Sequence, residues 1–544
     1  MSAKLATRYI ALGIALLLVV VCVVFQRASV PRLRTLVILH TNDIHAHVVP
    51  FYDNGKECEA DVADCLGGVA RQKTVIDRIR KQAPDSLLLD AGDQFSGTAY
   101  YGYYKGNVSH RVMNLLGYDL MSLGNHEFDE GSDQLAEFLG NLLFPVVCAN
   151  LEVGAESDLA KKVKPYHIFP QYSLGVIGII TNTTGFTSNP GPNVRFTNPI
   201  HAVRRYAQEL KRIGVKTIVV LSHTGYQEDV DLAAQTTDID LIIGGHSHTF
   251  LSSNPSDPHH WSAKGGYPTV VRNLDGLPTY ITQVWSWGRY VGHLKLQLDD
   301  QGRIRSIEGA PILLDGGVPE DPVALQVIQG LRVPLREYMD RVIGRATRAF
   351  DPPKYWTIGE SAIGNLVGDA MLHARSTSRA VIYNSGDVQG GLEEGEIRNQ
   401  EIFRVIPFDS SVVDLLLTGQ QIHDLIEGVL CRRNLLNHQR IPGRIQVAGI
   451  RFTYDPNGPE TARLRSLEIL DVNRSTYEPV HPESLYPITT LDFVAKGGDN
   501  LISPPVASYL THGNLRSTVI RYIEEMRHLH PKLDGRIAAV STSA

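Results

Sequence analysis

Five apolar runs in the first half of this chain each end abruptly in side chains able to hold a metal ion, and that repetition narrows the fold more than any other property of the sequence. Residues 36–47 read L-V-I-L-H-T-N-D-I-H-A-H and close on Asp43 and His45. L-L-L-D-A-G-D-Q closes on Asp93, L-M-S-L-G-N-H-E-F-D on Asn125 and His126, I-V-V-L-S-H-T-G on His223, and L-I-I-G-G-H-S-H on His246 and His248. A continuous apolar run is the mark of a strand buried on both faces, as in a parallel sheet covered by helices. In such sheets functional groups gather beyond the carboxyl ends of the strands. One His or Asp after a strand is usually a turn former, but five such endings in one chain point to a shared centre. Oxygen ligands mixed with imidazoles suit Zn, Mn or Fe better than Ca or Mg, and six or more ligands exceed what one tetrahedral ion takes. Two adjacent divalent ions are therefore expected, zinc first and manganese second.

A chain of 544 residues is longer than one hydrophobic core sustains, so two domains are expected. The net charge of -6 comes with no basic tail or Lys/Arg stripe, which argues against nucleic acid as a partner. Residues 9–26 form an uncharged apolar stretch of 18, with Lys4 and Arg8 before it and Arg27, Arg32 and Arg34 after it. As a helix it would span ~27 Å, just enough for a bilayer. No pair of small residues marks a cleavage point, so an uncleaved signal-anchor is preferred to a cleaved signal, although the basic residues after the stretch oppose outward orientation. Either way the bulk of the chain is expected at the cell surface or secreted. Cys22 lies in that stretch, Cys148 near a strand end suits burial as a small hydrophobe, and Cys58 and Cys65 suit a short loop staple. Sequons at Asn107, Asn182 and Asn473 agree with secretion.

From residue 36 to about 314, strands alternate with amphipathic stretches such as 68–80 and 199–213, an α/β pattern. After P-I-L-L-D-G-G-V-P-E-D-P a charged amphipathic run, 324–342, predicts a connecting helix. A second α/β unit follows, with strand-like V-I-Y-N, V-V-D-L-L-L, I-R-F-T-Y-D and Y-P-I-T-T-L-D-F and helix-like S-A-I-G-N-L-V-G-D-A-M-L-H-A and Q-Q-I-H-D-L-I-E-G-V-L. The division expected is 1–35 for the leader and a short linker, 36–318 for the metal-bearing domain, 319–343 for a linker helix and 344–544 for a substrate-specificity domain.

D-x-H, G-D-x, G-N-H-E-F-D, a lone strand-end His and G-H-x-H, in this order, resemble the calcineurin-like metallophosphoesterases. Within that group T-N-D-I-H, L-D-A-G-D-Q-F-S-G-T, L-G-N-H-E-F-D and G-G-H-S-H-T-F resemble the 5'-nucleotidase family, and the likeness runs from about residue 36 to 537. The resemblance implies a four-layer α-β-β-α sandwich followed by a second α/β domain. It implies that Asp43, His45, Asp93 and His248 hold one metal, and that Asp93 bridges to another held also by Asn125, His223 and His246. It makes His126 and Asp129 a catalytic dyad; their spacing of three places both on one face if a helix begins there. In the second domain, Phe408 and Phe493 match two rings that sandwich a nucleobase, Asp499 an acid that accepts from ribose hydroxyls, and Asn384 a further substrate contact. The family often has a loop disulfide like the one suggested for Cys58 and Cys65, its second domain rotates about the linker, and the likeness leaves a homodimer open.

The chain also departs from the family pattern. After Asn384 a glycine triplet is replaced by Ser385, Gly386 and Asp387, a family arginine position holds Gln389, and a second falls near Thr357. Losing two guanidiniums and gaining Asp387 should weaken binding of a nucleotide's anionic tail unless Lys354, Arg398 or Arg404 compensates. The activity expected is hydrolysis of nucleoside monophosphates such as AMP. An apyrase acting on ATP and ADP is the enzymatic alternative, and a nucleotide-binding protein on a hydrolase scaffold is the alternative from another class.

Overall fold

Successive side chains of a strand point to opposite faces, and the strand Arg34–Thr41 uses both. Leu36 and Ile38 enter an apolar layer with Leu89, Leu120, Val219 and Leu221, whereas Leu39 meets Val69, Ile76 and Val108 on the other side. In the strand Thr217–His223 the same alternation sends Val219 and Leu221 into the shared layer, and Ile218 and Val220 toward Val203 and Leu210 of the helix Pro199–Arg212. Two sheets thus face each other and each is covered outside by helices. This is the α-β-β-α sandwich that the family resemblance implied. The computed structural model describes residues 33–58, 64–154, 157–352, 358–375, 377–408, 410–471, 476–506 and 509–540.

One sheet has seven strands, in the order Ile304–Leu313, Tyr290–Leu298, Arg34–Thr41, Leu87–Asp90, Leu120–Ser122, Val146–Val147 and Val163–Lys164. The other has six, in the order Thr269–Arg272, Pro278–Thr282, Leu241–Gly244, Thr217–His223, Leu174–Ile180 and Tyr166–Phe169. The five ligand-bearing runs are strands of these sheets, three in the first and two in the second, and those within a sheet pair in parallel. Their carboxyl ends therefore emerge on one edge of the sandwich.

The helix Pro322–Asp340 starts where Asp321 caps the backbone N–H of Ala324 at 2.9 Å and Pro322 fills the first turn. Its buried residues Ala324, Ile328, Leu331 and Leu335 complete the core around Val69 and Val108, so the connecting helix packs on the metal-bearing body. Beyond it a second body centres on a five-stranded sheet, in the order Ile445–Ala448, Ala380–Asn384, Leu485–Leu491, Ser411–Thr418 and Leu510–Asn514. Val381 and Tyr383 pack against the helices Ala362–Ala374 and Leu515–Met526, while Ala380 and Ile382 pack against Gly419–Cys431. That last helix opens on a capping box between Thr418 and Gln421.

Cys58 and Cys65 form a disulfide with Cα atoms 6.4 Å apart. Cys148 is buried, and burial pushes its thiol up to about 12. The apolar stretch 9–26 with Cys22, and also Lys354, Thr357 and Asn473, lie outside the described residues. Among the described residues no helix is long and apolar enough to cross a membrane.

Candidate metal centre

The parallel strands deliver their terminal side chains to one point. The ligand atoms of Asp43, His45 and His248 lie within 4.8 Å of one another, as do those of Asp93, His223 and His246, and those of His45, Asp93 and His126. His223 Nε2 is 3.0 Å from Asp93 Oδ2, His248 Nε2 is 3.4 Å from Asp43 Oδ1, and the Nε2 atoms of His45 and His248 are 3.1 Å apart. Asp93 takes part in two of the three clusters, which is where a bridging carboxylate would stand.

The groups fit divalent metal ions. His45 donates Nδ1–H to the Phe95 carbonyl at 2.9 Å and His223 donates Nδ1–H to Ala91 at 2.7 Å, the backbone anchoring that turns Nε2 toward a metal. Burial lowers His45 to about 4 and His246 to about 3, so both are neutral imidazoles with a lone pair to give. Burial works to raise Asp43 and Asp93, but the imidazoles of His248 and His223 beside them hold both below the usual carboxylate range. Burial opposes a charge on His223, yet Asp93 carries it up to about 9. Asn125 is buried and its side-chain oxygen has no hydrogen-bond partner, a costly state for a polar atom unless a cation takes it.

Beside this cluster, His126 donates Nδ1–H to Asp129 Oδ2 at 2.7 Å, and Ser188 donates to the other oxygen of Asp129 at 2.7 Å. His126 opens a 3₁₀ turn, His126–Phe128, and Asp129 follows directly after it, rather than both lying on the start of an α-helix. Burial disfavours the imidazolium, but Asp129 and then Asp93 raise His126 to about 10. The backbone N–H of His126 also donates to Asp93 Oδ1 at 2.9 Å, tying the dyad to the ligand cluster.

Two contributors are absent from the sequence reading. Glu127, fully buried, accepts from the backbone N–H groups of Asp93, Gln94, Phe95 and Gly124 at 2.9, 2.7, 3.1 and 2.6 Å. It thereby fastens the loop carrying Asp93 to the loop carrying Asn125 and His126. Lys496, from the second body, lies close enough for its charge to disfavour protonation of His126 and His246 and to feel Asp129 in return. The K-G-G-D sequence around Lys496 carries a visible cation, but nothing in it shows that the second body folds back to this point.

The second body meets the first across a cleft lined by Ser96, Thr98 and Asp129 on one side and Ser411, Asn514 and Arg516 on the other. Arg516 donates to the Gly97 carbonyl at 2.9 Å, and the turn Thr184–Thr187 packs on the strand Leu510–Asn514. Phe408 and Phe493 are both exposed, at 51% and 43%, and are not part of the core. Asp499 lies partly covered against Gly443 with Arg432 nearby. Asn384 is buried and gives its amide to Asp387 at 2.6 Å. The structure revises one expectation: Asp387 is buried, and Asn384 and Ser410 take up its carboxylate, so it is not an open anion facing a nucleotide. Gln389 is exposed and donates to Gly386 at 2.6 Å, and Arg398 is engaged by Glu396 at 2.7 Å and by the Asp340 carbonyl.

Comparison with known proteins agrees with this geometry. Residues 36–250 match the calcineurin-like phosphoesterase family and residues 342–504 match the 5'-nucleotidase C-terminal domain. A snake venom 5'-nucleotidase from Naja atra is 33% identical over 525 residues, 92% of this chain and 98% of that protein. The 5'-nucleotidase of Homo sapiens is 32% identical over 527 residues, 92% of this chain and 90% of its own. Among solved structures, a 5'-nucleotidase precursor from Thermus thermophilus is 32% identical, with a TM-score of 0.62 over 93% of this chain and 99% of that one. Fold and site together define a metal-dependent phosphoesterase using divalent ions. The chain belongs to the 5'-nucleotidase family.

Proposed function

We propose that this protein hydrolyses nucleoside 5'-monophosphates, AMP or a close relative, to nucleoside and phosphate with two divalent metal ions, zinc or manganese. Asp43, His45, Asp93 and His248 would hold the first ion, and Asp93 would reach the second together with Asn125, His223 and His246. The observation that carries this reading is the convergence of six of these side chains, all but Asn125, from four strands beside the His126–Asp129 pair. When bound, such ions lower the pKa of a coordinated water and neutralise charge on phosphoryl oxygens. Asp129 fixes the His126 ring through Nδ1, which leaves Nε2–H of an imidazolium to donate to the phosphoryl group or the departing oxygen. Phe408 and Phe493 offer faces for a base, at roughly 1–3 kcal/mol per stack, and Asp499 is an acceptor for ribose hydroxyls. In this reading residues 36–318 carry the metals, 319–343 connect, and 344–544 select the substrate.

The relatives bear the name 5'-nucleotidase, which does not favour the apyrase reading. The Cys58–Cys65 disulfide supports an oxidising, extracellular location for the catalytic body, and the stretch 9–26 supplies an anchor or export signal. The test is phosphate release from AMP, ADP, ATP, UDP-glucose and an aryl phosphate, with Zn or Mn added. Preference for AMP upholds the proposal; turnover of the aryl phosphate alone would mean a working metal centre without a nucleotide pocket.

A further inference from the structure

We propose that Asn42 and Gln283 are positioning residues that lock the metal centre across the two sheets, Asn42 by aiming the Asp43 carboxylate and Gln283 by fixing the loop that carries His246 and His248. The proposal rests on the two-metal reading above, in which neither side chain is a ligand.

The ligands come from two sheets joined by an apolar layer, and hydrophobic contact is non-directional. Asp43, His45 and Asp93 stand at the ends of strands in the first sheet, and His223, His246 and His248 at the ends of strands in the second. A metal site needs its groups held to within about 0.5 Å, so directional bonds have to cross from one sheet to the other. Residues 283–287, directly after the strand Pro278–Thr282, supply them.

Pro278–Thr282 pairs in parallel with Leu241–Gly244, which brings Gln283 out beside the G-G-H-S-H turn. Gln283 is fully buried. Its Nε2–H donates to the Gly245 carbonyl at 3.0 Å, and its Oε1 accepts from the Ser247 hydroxyl at 3.1 Å and from the Thr249 backbone N–H. One amide thus holds the residue before His246, the residue between the two ligands and the residue after His248. The task needs a donor and an acceptor on one side chain, which an amide has.

Asn42 makes the crossing between sheets. It is buried, its Oδ1 accepts the Val284 backbone N–H at 3.1 Å, and its Nδ2 donates to the Trp285 carbonyl at 2.6 Å and to Asp43 Oδ2 at 2.7 Å. Both oxygens of Asp43 also lie 3.0 Å from the backbone nitrogen of His246, which donates to them. The backbone of the same segment completes the clasp: Trp287 N–H donates to the Asp43 carbonyl at 2.7 Å and Trp285 N–H to the Thr249 carbonyl at 3.0 Å. Trp285 and Trp287 hold φ of 62° and 64° in making these bonds, a region that non-glycine residues seldom occupy. The Asp43 loop and the histidine loop are therefore each tied to 283–287 and also to one another.

The test uses Asn42→Ala and Gln283→Met in the full chain. Zinc and manganese are titrated separately against a chromophoric chelator to resolve the affinity of each ion, and urea unfolding of the metal-free protein reports stability. The ligand that Asn42 bonds is Asp43, on the first ion, so Asn42→Ala should weaken one ion by about 10–100-fold, the usual effect of losing a group that orients a ligand. Gln283 brackets a ligand of each ion, so Gln283→Met should weaken both. Asn42→Ser and Gln283→Asn, which keep a polar group of shorter reach, carry the same comparison if either first variant fails to fold. Unchanged affinities overturn the assignment, and a loss of metal-free stability without a loss of affinity does so too, since it reduces the amides to packing. A parent that binds neither metal overturns the two-metal reading and this proposal with it, whereas two ions bound equally well by parent and variants overturn this proposal alone.

Discussion

Glu127 offers a sharp test of how the centre is held, because its side chain touches no substrate and is given entirely to backbone. One oxygen accepts from Asp93 and Gly124 and the other from Gln94 and Phe95. Glu127→Gln preserves the volume but leaves one acceptor oxygen, and its NH₂ faces two N–H donors with nothing to offer them. At about 1.5–3 kcal/mol for each hydrogen bond to a charged group, losing two costs ~3–6 kcal/mol, a large share of the roughly 5–15 kcal/mol that holds an ordinary domain. The loops bearing Asp93 and Asn125 would separate as well, so metal affinity should fall by about 10–100-fold, as for other groups that orient ligands. The assay is urea unfolding of metal-free protein at pH 8, above the value of about 7 to which burial and Asp93 raise this carboxyl, paired with metal titration. A stability change below ~1 kcal/mol, within the range of one ordinary hydrogen bond, together with unaltered metal binding, would refute the reasoning.

His126→Ala should lower kcat by about 10²–10⁴, the usual worth of a positioned proton donor, with metal content intact; an unchanged kcat would take His126 out of the mechanism. Gly124→Ala should cripple metal binding, because a Cβ there would lie 2.2 Å from Asp93 Oδ1; full metal occupancy in that variant would contradict the packing. Asp240, at the foot of a strand far from the ligands, is raised by burial from 3.8 to about 6, and the Ile218 N–H only partly offsets this. The folded state therefore keeps a proton between pH 4 and 6 that the unfolded chain has lost, and stability should fall as pH rises through that window, by on the order of 2–3 kcal/mol at ~1.4 kcal/mol per unit. Asp240→Asn should flatten that slope in chemical unfolding at pH 4, 5 and 6; an identical slope in the variant would assign it to other groups.

The strands that build the centre are legible in the sequence because burial on both faces leaves nothing but apolar residues between the ends, so a ligand at the tip stands out. The helix predicted over 199–213 is Pro199–Arg212, where Asn198 caps the backbone N–H of His201 at 3.0 Å and Pro199 opens the first turn. What is not legible depends on contacts distant in sequence. Glu127 resembles any acid in N-H-E-F-D, since its four partners are main-chain groups, three of them 32 to 34 residues away, and carry no side-chain signal. Ser188 reaches Asp129 from 59 residues away. Asp387 reads as an exposed anion because charge is visible in a sequence and burial is not. The same limit applies to Lys496, whose electrostatic influence on His126 depends on how the two bodies meet.

Strain explains why glycines recur in the ligand motifs. Asp43, His45, Asp93, His246 and His248 all have positive φ, between 49° and 73°, a region that non-glycine residues seldom occupy. The surrounding backbone holds them there: Asp43 N–H donates to Gly92 at 2.9 Å, His45 N–H to Asp93 at 3.0 Å, and the Asp43 carbonyl accepts from Trp287 at 2.7 Å. The loops interlock so closely that side chains are excluded between them. A Cβ on Gly92 would lie 2.5 Å from the Gly124 nitrogen, and one on Gly97 would lie 2.3 Å from the His45 carbonyl oxygen. The glycines of G-D, G-N-H and S-G-T therefore mark where ligand loops press against one another. The same hydrogen-bonded loops hold the ligand residues in conformations that non-glycine residues seldom adopt. Arg516 of the second body donates to the carbonyl of Gly97, one of these closely packed glycines.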